Sequence, residues 1–124
     1  MTERLDKQHR YPWPAIETAV RWYQKDGLTY RAVSSKLLTH GMEVSHKTVY
    51  EWVQKFGDVV GRKNRRRTTG QTNWNVEETY VKVNGEWKYM YRAVDTKDNT
   101  LDLVFRQNKS LSSAKSFLKK QLKD

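Results

Sequence analysis

Three groups of side chains in this sequence are of types and spacings that could do chemistry. The first is a set of carboxylates in the second half: Glu77, Glu78, Asp95, Asp98 and Asp102. Asp95 and Asp98 fall in the segment Asp95-Thr96-Lys97-Asp98-Asn99. There a turn role is the stronger reading, because Asp caps such turns with its own side chain. Asp102 has no assigned role. The second group is Arg62-Lys63-Asn64-Arg65-Arg66-Arg67, five positive charges in six residues. Such an arm tracks phosphates and adds affinity without sequence information; the competing reading is a solubilising linker. The third is a polar row, His46, Lys47, Tyr50, Glu51, Gln54 and Lys55, around the apolar residues Val49, Trp52, Val53 and Phe56.

That third row requires a helix to position it. Ser45 supplies an N-cap, and Val44 with Val49 can staple around it. The spacing predicts a helix over residues 46–56 that Gly57 terminates. Two further helices precede it. Residues 14–25 begin with Pro14 at a first-turn position and place Ile16, Ala19, Val20 and Tyr23 on one face. Thr29 caps residues 30–39, with Tyr30, Val33, Leu37 and Leu38 inward and Gly41 as the stop. Three short helices with tight connections can form a helix-turn-helix, whose last helix offers its outward N-terminal residues to base edges in a major groove. Lys47 then meets guanine or phosphate, Gln54 adenine, and Tyr50 a phosphate or thymine methyl. The competing reading is a protein-interaction bundle with a solvated polar face.

From Gly57 to Asn73 the helical pattern dissolves into glycines, threonines and the basic run, which predicts a linker. Beyond it the residue types turn aromatic and β-branched. Trp74 to Val83 reads as a strand, Asn84-Gly85 as a tight hairpin turn, and Trp87 to Val94 as a second strand. Leu101 to Phe105 makes a third strand. Ser112 caps a helix running to Leu122, with Ala114, Phe117, Leu118 and Leu122 inward. Trp74, Trp87, Tyr89 and Tyr91 could stack nucleic-acid bases, but aromatics alternating along a strand more often pack a sheet. The predicted class is α+β, with boundaries at 1–57 for the three helices, 58–73 for the linker and 74–124 for the β-β-β-α unit.

Composition narrows the partners. The 124 residues carry 24 Lys and Arg against 14 Asp and Glu, a net charge of +10. Residues 1–73 hold 14 of the basic and 7 of the acidic side chains. An excess of this size favours a polyanion. No apolar run approaches the ~20 residues of a membrane span, and the start Met1-Thr2-Glu3-Arg4 is unlike a secretory signal. Zero Cys excludes disulfides and thiolate metal sites, and is compatible with a reducing cytoplasm. His9, His40 and His46 are too scattered to predict a metal cluster.

The segments Ala19-Val20-Arg21-Trp22-Tyr23, Thr48-Val49-Tyr50-Glu51-Trp52-Val53, Glu78-Thr79-Tyr80-Val81-Lys82-Val83, Tyr91-Arg92-Ala93-Val94-Asp95 and Thr100-Leu101-Asp102 together resemble one family. This is the bacterial insertion-sequence transposases of family six, and the resemblance runs from about Tyr11 to Leu122. It implies an N-terminal helix-turn-helix joined to a ribonuclease-H-like catalytic domain, which opens with three antiparallel strands and a helix. It also implies two Asp and one Glu holding two Mg²⁺ ions. The family's Asp-Glu-Thr-Tyr segment reads Glu77-Glu78-Thr79-Tyr80 here. Glu77 therefore stands at the first Asp's position as the candidate catalytic and metal-binding residue, one methylene longer. An offset of about 1 Å there costs orders of magnitude in rate. The family's second Asp and final Glu lie on elements later than Asp124.

The resulting expectation is a truncated transposase that binds double-stranded DNA at its element's terminal repeats. It would do so through His46, Lys47, Tyr50, Gln54, Lys55, Arg62, Lys63, Arg65, Arg66 and Arg67, without productive Mg²⁺ binding or strand transfer. Two alternatives stay open: a stand-alone DNA-binding regulator, and the first part of a frameshifted longer enzyme. Homo-oligomers or association with a full-length transposase are the expected assemblies.

Overall fold

The computed structural model describes residues 10–66 and 73–123. The elements run α1 (Trp13–Asp26), α2 (Tyr30–Thr39), α3 (His46–Arg66), β1 (Trp74–Val83), β2 (Glu86–Asp95), β3 (Thr100–Arg106) and α4 (Leu111–Gln121). This is the α+β order expected from the sequence, three helices followed by β-β-β-α. Contacts divide the chain into a helical unit, residues 16–71, and a sheet unit, residues 1–15 with 72–124.

In the helical unit the caps are where local chemistry puts them. Thr29 Oγ1 accepts from Ala32 N at 3.1 Å, and Ser45 Oγ accepts from Thr48 N at 3.2 Å. Each satisfies a backbone N–H that the first helical turn would leave unpaired. Gly27 and Gly41 adopt φ of 68° and 90°, a region that a Cβ disfavours, and there the first two helices end. Ile16, Ala19, Val20, Val33, Leu37, Val49 and Trp52 are all buried. Leu38, expected inward, is 61% exposed, because the buried stripe of α2 is confined to Val33 and Leu37.

The main correction concerns α3. Gly57 does not end it; the helix continues through Gly61 to Arg66, so residues 58–66 are helix and not linker. The buried stripe Val49, Trp52, Phe56 carries on to Val60, only 1% exposed. Side chains from α1 also reach the extension. Gln24 Nε2 donates to Gly57 O at 2.6 Å, Asn64 Nδ2 donates to Gln24 Oε1 at 3.4 Å, and Lys63 Nζ lies 2.6 Å from Glu17 Oε2. Tertiary contact thus outweighs the ~1 kcal/mol that each glycine costs a helix interior. The rest of the expected linker, residues 67–72, lies outside the described residues.

The sheet unit is an antiparallel meander in the order β1-β2-β3. Asn84 and Gly85 take φ of 49° and 90°, as the two-residue hairpin turn demands. Asn84 N donates to Arg10 O at 2.8 Å, which ties the segment before α1 to that turn. On one face Tyr91, Ala93 and Val104 form a core with Ala114 and Leu118 of α4, and Trp74, Val76, Phe117 and Leu122 pack around it. The α4 cap is Ser110, not Ser112. Ser110 N donates to Tyr91 Oη at 2.9 Å, so a buried hydroxyl on β2 fixes where the helix starts.

Candidate nucleic-acid interface and acidic site

The row expected to face a nucleic acid occupies the first half of α3. Its buried side is Val49, Trp52 and Phe56. His46, Lys47, Tyr50, Glu51, Gln54 and Lys55 are exposed, as the helical period requires. Within the row, Tyr50 is held by a residue expected in the core. Tyr30, the first residue of α2, stacks on Tyr23 at 4.8 Å between centroids and meets Tyr50 edge-on at 5.3 Å. Tyr30 Oη donates to Tyr23 Oη at 3.3 Å, and the Gln54 side chain lies close enough to the Tyr30 phenol to influence it. The Tyr23 hydrogen bond, with partial burial, raises the Tyr30 phenol above its ordinary value. The edge-on ring contact restricts Tyr50, which lowers the rotamer entropy that side chain would lose in any binding. Neither Tyr23 nor Tyr30 carried a sequence signal for this role, since their contact joins separate helices.

The basic run is less uniform than its composition suggested. Arg62 and Arg65 are exposed on the continued helix, with Arg62 3.7 Å from Asp58. Lys63 pairs instead with Glu17, whose side chain is 6% exposed. Much of its charge is therefore answered inside the protein. The α3 helix ends at Arg66, and Arg67 lies outside the described residues.

Among the carboxylates, Glu77 projects from β1 directly across from Arg92 on β2. Arg92 Nη2 lies 2.6 Å from Glu77 Oε1 and 3.5 Å from Asp98 Oδ1, while Nη1 donates to Thr100 Oγ1 at 2.9 Å. Glu78 points to the opposite face, where Tyr91 Oη donates to it at 2.6 Å and Lys109 lies 3.7 Å away. Asp95 is the turn cap expected of it: Oδ1 accepts from Lys97 N and Asn99 N, each at 2.9 Å. Asp102 is buried, and its Oδ1 accepts from Leu103 N at 2.8 Å. Mg²⁺ needs several oxygens around one point. Among the described residues no group of three or more His, Asp or Glu side chains converges in that way. Glu77 and Asp98 converge on a guanidinium, whose charge opposes a second cation. The described residues do not by themselves fit the metal pair.

A family model described as "DDE domain", of the IS240 type, matches residues 71–124. The chain is 36% identical over 109 residues to a transposase for insertion sequence element IS257 in transposon Tn4003 of Staphylococcus aureus. That match covers 87% of this chain and 49% of the relative. The chain is similar to members of the insertion-sequence transposases, and its residues 71–124 match their DDE domain. A second member, the transposase for insertion sequence-like element IS431mec of Staphylococcus aureus strain N315, matches with the same identity and coverage. An uncharacterized protein, pYV0051 of Yersinia pseudotuberculosis, is 36% identical over 61 residues, 49% of this chain and 57% of its own. The chain spans about half the length of the curated transposases it matches. No solved structure matches it. Among the described residues no helix is long and apolar enough to cross a membrane.

Proposed function

We propose that this chain acts as the DNA-binding part of a transposase of this family. Its helical unit docks α3 in the major groove at the terminal repeats of its element. The observation that carries the reading is the polar row of α3, His46, Lys47, Tyr50, Gln54 and Lys55, exposed beside a cap that presents the helix N-terminus. Lys47 and Gln54 offer the donors and acceptors that base edges require, and Tyr50 a ring for a thymine methyl. Arg62 and Arg65, with Arg66 and Arg67 beyond them, add phosphate contacts that set the salt dependence. DNA strand transfer belongs to a fuller carboxylate set than Glu77 and its neighbours provide. With Glu77 on Arg92, the function proposed for these residues is binding and not catalysis. Domain roles follow: residues 16–66 read DNA, and residues 73–123 form the opening of the catalytic fold.

The test is fluorescence anisotropy of the full chain on element-end duplex and on scrambled duplex. Lys47→Ala with Tyr50→Ala should weaken end-duplex binding roughly tenfold or more, the value of one or two good base contacts. Equal loss on both duplexes would refute α3 as the reader.

A further inference from the structure

The sheet unit carries an aromatic surface that the DNA-reading helix does not use. The register places Tyr80 opposite Tyr89, Lys82 opposite Trp87, and Arg106 beside Tyr89. All five side chains share the face that α4 covers farther along. Toward Ala93 that face is the buried core with α4. Toward the Asn84-Gly85 turn it is open: Tyr80 is 56% and Trp87 54% exposed. The rings form a continuous ladder. Tyr80 stacks on Trp87 at 5.0 Å with planes 22° apart, and Tyr80 meets Tyr89 at 4.8 Å. Lys82 Nζ lies 5.8 Å from the Trp87 ring centroid, and the Arg106 guanidinium lies 5.5 Å from that of Phe117.

Cross-strand packing accounts for one side of each ring, since such pairs stabilise hairpins. It does not account for more than half of two large aromatic side chains being left in water. The charged side chains directly opposite or beside the rings, Lys82 and Arg106, are both positive. Glu78, the next carboxylate along this face, is engaged by Tyr91 and lies near Lys109. Glu86 stands opposite Val83, on the other face. Flat π surfaces flanked by Lys and Arg, without a free carboxylate between them, match an unpaired polynucleotide. Its bases can stack on the rings while its phosphates meet the cations. A paired duplex cannot use the rings, because its bases are already stacked.

We infer that Tyr80, Trp87 and Tyr89, with Lys82 and Arg106, form a binding platform for single-stranded DNA. The platform is separate from the α3 interface and stands or falls independently of it.

Binding of fluorescein-labelled oligo(dT) to the full chain tests this directly, read by anisotropy at salt high enough to suppress contacts made through phosphates alone. Trp87→Ala and Tyr80→Ala should each weaken oligo(dT) binding about tenfold, within the range for loss of one stacked base. Trp87→Phe should retain most of it, and duplex affinity should stay unchanged in all three. The Lys47→Ala, Tyr50→Ala double variant should do the reverse, losing end-duplex and keeping oligo(dT). Unchanged oligo(dT) affinity in Trp87→Ala overturns the proposal, as does equal loss on duplex. Sedimentation that shows Trp87-dependent self-association with unchanged oligo(dT) binding also overturns it, in favour of a second copy on this face. Should the alanine variants fail to fold, oligo(dT) titrated into the ¹⁵N-labelled wild-type chain decides. Shifts of the Trp87 indole and the Tyr80 and Tyr89 amides support the platform; shifts confined to other residues reject it.

Discussion

Arg92 Nη2 lies 2.6 Å from Glu77 Oε1, so a guanidinium meets the carboxylate at the position where the family's first Asp is expected. Arg92 is held there by Thr100 and lies near Asp98, while the Glu77 side chain remains 47% exposed. An exposed pair of this kind contributes less than ~1 kcal/mol. Glu77→Gln should therefore leave the midpoint of urea unfolding nearly unchanged. Paramagnetic broadening of amide signals by Mn²⁺ should be weak around Glu77 in the wild-type chain and stronger in Arg92→Ala, which frees both carboxylates. Strong broadening at Glu77 in the wild type would contradict the account of the acidic site.

Tyr91 links the sheet to α4 through one hydroxyl, donating to Glu78 and accepting from Ser110 N. Tyr91→Phe leaves both partners without it and should cost about 1–3 kcal/mol in the sheet unit, read by hydrogen exchange of β2 amides. Burial, then the Glu78 hydrogen bond, raises the phenol above its ordinary value of 10.0. The unfolded chain therefore loses this proton before the folded one does. The contribution is complete below pH 10 and is lost as pH climbs from there toward the folded value. The alkaline fall in β2 protection should be shallower in Tyr91→Phe; an identical slope would remove Tyr91 as its cause.

Gly57 and Gly61 both lie on the side of α3 that faces Gln24, at different distances. A Cβ on Gly61 would sit 3.6 Å from Gln24 Oε1, an ordinary contact, whereas one on Gly57 would sit 3.3 Å from Gln24 Nε2. Gly61→Ala should stabilise the helical unit by about 0.5–1 kcal/mol through helix propensity alone. Gly57→Ala should gain less, because the Gln24 bond to Gly57 O is disturbed. Thermal unfolding ranks the two, and equal gains would show that Gln24 shifts freely.

Lys63 and Arg62 are neighbours in the basic run with different duties. Lys63→Ala strips the cation from a buried carboxylate at Glu17 and should cost about 2 kcal/mol, moderated by the half-exposed lysine. Arg62→Ala breaks only a surface pair with Asp58 and should cost under ~0.5 kcal/mol. On DNA the order should invert. Arg62→Ala lowers the slope of log affinity against log salt by about one, and Lys63→Ala lowers it less. Urea unfolding and salt titration together test both halves; equal slopes would show that Lys63 leaves Glu17 when DNA binds.

Element order, the caps at Thr29 and Ser45, the Asn84-Gly85 turn and the Asp95 turn were legible in the sequence. Each is set by residues within a few positions of one another, where backbone conformation and a single hydrogen bond decide the outcome. The polar row of α3 was legible for the same reason, since the helical period alone puts His46, Lys47, Tyr50, Gln54 and Lys55 opposite Val49 and Trp52. What only the tertiary structure decided depends on residues far apart in the chain. Gln24 and Glu17 on α1 carry α3 past two glycines that would otherwise read as a stop. Tyr30 packs against Tyr50 from another helix, and Arg92 meets Glu77 across a strand pair. The aromatic strands show the limit most plainly. Alternation put Trp87, Tyr89 and Tyr91 on one face, but only the reach of α4 buries Tyr91 and leaves Trp87 in water.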